Sequence, residues 1–146
     1  MKTACHIDAK TIKESLYYNH QIDIDAPSLV KRQGTASMVY YSRLWEGLSS
    51  TEIIIKISNL YDSYPTEAEV YREIAQHGVP VPHVLFYCSR LHGVEMPCLI
   101  ISKIEGIPLD EAVISPGLER QVYENVGRIF RAIHQVGPAS SVKGYG

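Results

Sequence analysis

The chain has 146 residues, 45% of them apolar and 21% charged, and a formal net charge of −2 at pH 7. That is the size and balance of one globular domain with a real core, and it excludes a disordered chain. The near-neutral charge offers no basic field for nucleic acid or anionic lipid, and no apolar run is long enough to span a membrane. Met-Lys-Thr-Ala-Cys-His-Ile-Asp at the start lacks the apolar stretch of a signal peptide. Three scattered cysteines, Cys5, Cys88 and Cys98, do not make a disulfide framework. A cytoplasmic protein with no nucleic-acid or membrane partner is expected.

In chain order, Asp8 is a candidate N-cap for a short amphipathic helix over about 8–18, with Ile12, Leu16 and Tyr17 at helical spacing. Residues 19–28 read as a connection ending near Pro27. Two strands follow, 29–33 and 38–44, around the break Gly34-Thr35-Ala36-Ser37. A glycine with three small neighbours lets the backbone turn tightly and approach a ligand. Its N–H groups, with the hydroxyls of Thr35 and Ser37, suit phosphate oxygens, although an ordinary hairpin turn has the same composition. The turn at 46–50 then leads to residues 51–57, Thr-Glu-Ile-Ile-Ile-Lys-Ile, completing an antiparallel meander.

Residues 51–57 organise the reading. Lysine is rarely buried without a partner, so Lys56 in a β-branched strand calls for a carboxylate or a phosphate. The alternative is an edge strand whose lysine reaches water. A helix over about 65–77, started by Pro65 or Thr66 and ended by His77-Gly78, follows a polar connection. Glu67, Val70, Tyr71 and Ile74 share one face of it, so Glu67 points inward with apolar side chains. An inward carboxylate requires a cation, and Lys56 is the one in reach. The competing role for Glu67, in the first turn, is to complement the helix dipole.

Gly78-Val79-Pro80-Val81-Pro82 is a rigid connector into a fourth strand, 83–87. A polar turn over 89–97 and a buried fifth strand, 98–102, come next. Ser102-Lys103-Ile104-Glu105-Gly106 reads as a linker between two packed bodies. His83, Cys88, His92 and Cys98 lack the close spacings of a zinc site, so no metal ligand is assigned. A turn of helix over 109–113 precedes a long helix over 118–136, apolar at Leu118, Val122, Val126, Ile129, Phe130 and Ile133.

The order of these motifs resembles the amino-terminal lobe of the aminoglycoside phosphotransferase and choline-kinase-like family of small-molecule kinases, which share the protein-kinase-like fold. Gly34-Thr35-Ala36-Ser37-Met38-Val39-Tyr40 resembles the family's loop over the ATP phosphates, with Ser37 where asparagine is common. Ile55-Lys56 resembles the lysine strand, and Glu67-Ala68-Glu69-Val70 the helix segment whose first glutamate pairs with that lysine. Val79-Pro80-Val81-Pro82 resembles the connector, and residues 104–109 the hinge. Ile133-His134 and Gly144-Tyr145-Gly146 resemble the approach to the catalytic loop.

The resemblance implies an α+β fold: a protein-kinase-like N-lobe, with a five-stranded antiparallel sheet and one regulatory-type helix, plus a hinge and the first helices of a C-lobe. Its bounds would be 1–101 for the nucleotide-binding lobe, 102–108 for the hinge and 109–146 for the start of the second lobe. It also implies ATP or GTP as cofactor. Lys56 and Glu67 would serve the phosphates, Gly34, Thr35 and Ser37 would cover them, and the backbone of Ser102 and Ile104 would read the purine with Ile101 behind it. The partners would be the nucleotide and a small-molecule hydroxyl acceptor, for which antibiotic, choline-like, sugar and amino-alcohol classes all stay open. No histidine-glycine-aspartate-like segment occurs in the chain. It is therefore expected to lack catalytic and metal-binding residues, to be a fragment inactive alone, with Mg2+ needed only in a full-length enzyme, and to self-associate through the 118–136 helix. A non-catalytic nucleotide-binding or regulatory module, and an unrelated α+β interaction domain with a structural Lys56–Glu67 pair, are the alternatives.

Overall fold

The computed structural model describes residues 7–30, 37–58, 64–107, 109 and 111–136. Helix α1, Ala9–His20, begins at Asp8, whose side chain accepts from the N–H of Lys10, and ends at Gln21 in the left-handed region. Its buried Ile12 and Leu16 come from the expected apolar stripe, whereas Tyr17 is exposed. The segment expected as a plain connection holds a two-residue strand, β1, Asp23–Ile24, paired with the end of a later strand. Strand β2, Ser28–Leu29, is followed by the long hairpin of β3, Met38–Glu46, and β4, Ser49–Ile57. Gly47, at φ 63°, makes the hairpin turn, a conformation glycine takes without a Cβ penalty. The Gly34 loop lies outside the described residues.

Helix α2, Tyr64–Gln76, starts one residue before Pro65, and Gly78 beyond its end has φ 75°. Strands β5, Val84–Leu91, and β6, Met96–Ser102, form a second hairpin. The polar turn expected over 89–97 is shorter than that, because both strands run into it and pair as far as Leu91 and Met96. Among the described residues of 109–113 there is a single hydrogen-bonded turn, Ala112 N–H to the Leu109 carbonyl at 3.3 Å, and not a helix. Helix α3, Pro116–Gln135, opens with Ser115 and Pro116, as proline's fixed φ favours.

All six strands belong to one antiparallel sheet, ordered β1-β3-β4-β6-β5, with β2 also paired to β3. The five expected strands are β2 to β6, and β1 is an addition. Because β4 lies between β3 and β6, Lys56 stands on a central strand, and the edge-strand alternative is excluded.

Side chains alternate across a strand, so β4 serves two layers. Ile53, Ile55 and Ile57 are buried on one face with Tyr40, Ile100 and Cys98, under Ile12 and Leu16 of α1. The opposite face carries Leu99 and Ile101, packed with Tyr64 and Ala68 of α2 and flanked by Ile54, Tyr71, Val84 and Tyr87. Lys56 shares the parity of Ile54 and therefore faces the α2 side. Helix α3 has no buried residue, and its Leu118, Ile129 and Phe130 are exposed. No helix among the described residues is long and apolar enough to cross a membrane.

Candidate nucleotide site

The α2 face of the sheet is laid out in three cross-strand rows. Val39, Lys56 and Leu99 are in register across β3, β4 and β6, as are Tyr41, Ile54 and Ile101. The third row holds Arg43 and Glu52, with Lys103 joined through its N–H to the Glu52 carbonyl at 3.0 Å. Successive rows are about 7 Å apart, since each is two residues further along extended strands. One face thus offers an ammonium, an apolar middle of Ile54 and Ile101, and the backbone leaving β6.

Lys56 and Glu67 form an ion pair, with side chains 22% and 23% exposed. Helix α2 brings the carboxylate over β4, and the same oxygen of Glu67 accepts from the hydroxyl of Tyr71 at 3.1 Å. Burial, and then the Glu67 carboxylate beside it, push the Tyr71 phenol up to about 12. One turn earlier on the helix, the ring of Tyr64 lies 5.7 Å from the Lys56 ammonium, within cation–π range. The hydroxyls of Tyr64 and Ser37 are 2.8 Å apart. Lys56 is thus held by a carboxylate and walled by a ring, and its half-exposed position keeps it within reach of an anion.

At the other end, Ser102 is bound twice to His83. Its N–H donates to the His83 carbonyl at 2.9 Å, and its hydroxyl accepts from the His83 N–H at 2.8 Å. The His83 N–H is therefore taken by the Ser102 side chain, and the residue before it, Pro82, has no N–H to give. Beyond Lys103 the chain leaves the sheet with Ile104 and Glu105 exposed and Gly106 at φ 148°. Glu52 accepts from the Tyr41 hydroxyl at 2.7 Å, and Lys103 lies over the Tyr41 ring at 5.3 Å. The Tyr41 hydroxyl, then Glu105 and Lys103, hold the Glu52 carboxyl below its ordinary range.

Of the residues the sequence singled out, the structure brings Lys56 and Glu67 together and sets Ser37 beside them through Tyr64. Ile101 is buried between the sheet and α2, and Ser102 and Ile104 follow it at the end of β6. Gly34 and Thr35 lie outside the described residues. Tyr64 was not read as part of the site, because it falls in a segment that reads as a connection before Pro65. The missed signal is the i, i+3, i+7 spacing of Tyr64, Glu67 and Tyr71 on one helix face.

A separate cavity of about 190 Å3, lined by Ile22, Leu44, Phe86 and Ile100 among others, lies on the α1 face and not at Lys56. Among the described residues no group of three or more His, Cys, Asp or Glu side chains is placed to hold a metal ion.

Lysine, paired glutamate and free backbone at the end of a central strand define a phosphate- and base-binding arrangement of the kinase kind. A sequence profile of the phosphotransferase enzyme family (APH) matches residues 32–145, and the chain belongs to that family. Comparisons with curated proteins and with solved structures gave no match. Kinases of this family in general use ATP with Mg2+ and act on small molecules. The residues at hand fit the nucleotide: a cation for phosphate, an apolar floor, and backbone groups for a base edge. They do not fit a resident metal ion, and no role is assigned to one.

Proposed function

We propose that this chain is the ATP- or GTP-binding part of a phosphotransferase that phosphorylates a hydroxyl of a small molecule. Lys56 holds the phosphates and Glu67 orients Lys56. Gly34, Thr35 and Ser37 cover the phosphates, and Ile54 and Ile101 meet the base. The Ser102 carbonyl and the Ile104 N–H read its edge. In this reading residues 1–101 are the nucleotide lobe, 102–108 the hinge and 109–146 the start of a second, helical lobe. The observation that carries it is the Lys56–Glu67 pair on a central strand, with the α2-side rows leading from it to the end of β6. Phosphoryl transfer needs a catalytic base and bound metal besides the lysine, and this chain carries neither motif, so alone it binds nucleotide without turning it over.

The test is titration of the chain with ATP and with GTP, monitored by calorimetry and by melting temperature. Charge-assisted contacts to phosphate are worth about 1.5–3 kcal/mol, so Lys56→Ala raises the Kd about tenfold or more. Lys103→Ala, at a position that offers backbone groups to the base, shifts it only about twofold to threefold. Equal losses in the two variants, or a melting temperature indifferent to both nucleotides, would overturn the assignment. Magnesium-dependent phosphorylation of a hydroxyl acceptor by the chain would overturn the claim that it is inactive alone.

A further inference from the structure

The geometry points to Tyr64 as a positioning residue of the phosphate site, one that ties the end of the Gly34 loop to helix α2 and so sets loop and ion pair as a unit for a polyphosphate. This rests on the nucleotide reading above and adds a residue to it. Tyr64 is 1% exposed, and its volume is spent in the packing of α2 on Leu99 and Ile101. A tyrosine buried for packing alone gains nothing from its hydroxyl, which then needs a partner. That partner is the hydroxyl of Ser37, 27 positions away in sequence and 2.8 Å away in space.

The same ring flanks Lys56 at 5.7 Å, on the helix that also supplies Glu67 and Tyr71. Tyr64 is therefore the one side chain in contact both with Ser37, at the end of the loop segment, and with the ammonium. Two hydroxyls sharing one hydrogen bond leave one donor hydrogen and further lone pairs unused. A bound phosphate oxygen accepts that hydrogen without breaking the Ser37–Tyr64 contact. Tyr64 then acts through Ser37 and Lys56, and the ligand chemistry it serves is the polyphosphate and not the base.

The experiment measures Kd for ATP, inorganic tripolyphosphate and adenosine with the wild-type chain, Tyr64→Phe, Ser37→Ala, the double variant, and Lys56→Ala as a control. Phenylalanine keeps the ring and its packing, so Tyr64→Phe remains folded. Loss of one hydroxyl contact raises the Kd for ATP and tripolyphosphate about threefold to tenfold and leaves adenosine unchanged. Ser37→Ala gives a similar loss, and the double variant is no worse than the weaker-binding single one, because both remove the same contact. Losses that add, an unchanged tripolyphosphate affinity, or an equal loss for adenosine would each overturn the role of Tyr64. If Lys56→Ala weakens ATP and tripolyphosphate while Tyr64→Phe does not, this inference alone fails. If Lys56→Ala leaves both unchanged, the nucleotide reading fails and takes the inference with it.

Discussion

Replacing Glu67 by glutamine keeps the side-chain shape and an acceptor for Tyr71, and removes only the charge that faces Lys56. With side chains 22% and 23% exposed, the pair lies between two reference cases. An exposed pair contributes about 0–1 kcal/mol, whereas breaking a fully buried one costs about 3–5 kcal/mol. The half-buried position, with the Tyr64 ring still beside the ammonium, places the loss at about 1.5–2 kcal/mol. For a chain of this size that lowers Tm by about 5–7 °C. Lys56→Met leaves the Glu67 carboxylate half-buried against Tyr71 and costs about as much. The double variant Lys56→Met, Glu67→Gln carries neither stranded charge. It should be more stable than the sum of the single losses by about 1–1.5 kcal/mol. The assay is urea unfolding of the four proteins at neutral pH, with Tm as a check. Single losses that add to within about 0.5 kcal/mol would show that the two side chains do not act as a pair, and the site would lose its organising contact.

Two further outcomes follow from other parts of the fold. The Tyr71 phenol is raised from 10.0 to about 12, so its contribution to stability is fully present below pH 10 and is lost as pH rises through 12. Tyr71→Phe should therefore flatten the alkaline limb of the stability curve over that interval, read by denaturant unfolding beside an ultraviolet titration of the tyrosines. An unchanged alkaline slope would mean that burial and the Glu67 contact do not govern this phenol. On α3, Phe130 is 57% exposed and stands beside Ile129 on a helix with no buried residue. Apolar area of this kind drives association, so we expect the chain to form concentration-dependent oligomers on sizing and Phe130→Ser to shift them toward monomer. A wild-type chain that stays monomeric at high concentration would refute the role given to this face.

The local grammar of the chain was enough for most elements. Asp8 before an amphipathic run, Gly47 between two β-rich stretches, and Gly78 after the second helix mark boundaries that the structure keeps to within about two residues. Periodicity was also enough to turn Glu67 toward the core, and a lone lysine in an isoleucine run was enough to ask for its partner. What fell short was information carried only by pairing. β1 has two residues and no pattern of its own, and it exists because Trp45 and Leu44 at the end of β3 lie opposite it. The turn expected over 89–97 looked polar, yet its flanks are ordered by cross-strand bonding from Leu91 to Met96.

The sequence by itself determined which residues bear charge in an apolar setting, in what order the strands and helices occur, and that Lys56 and Glu67 belong together. Those are properties of neighbours along the chain, where spacing translates directly into a face of a helix or strand. Only the tertiary structure decided that β4 is central, which excludes a lysine that escapes to water. It alone aligned Lys56, Ile54 and Glu52 in rows ending at Lys103, and it set Tyr64 between Ser37 and the ammonium. Strand order and the docking of α2 come from burying two apolar faces of one sheet at once. That condition is met by the whole set of contacts together, and no window of sequence contains it.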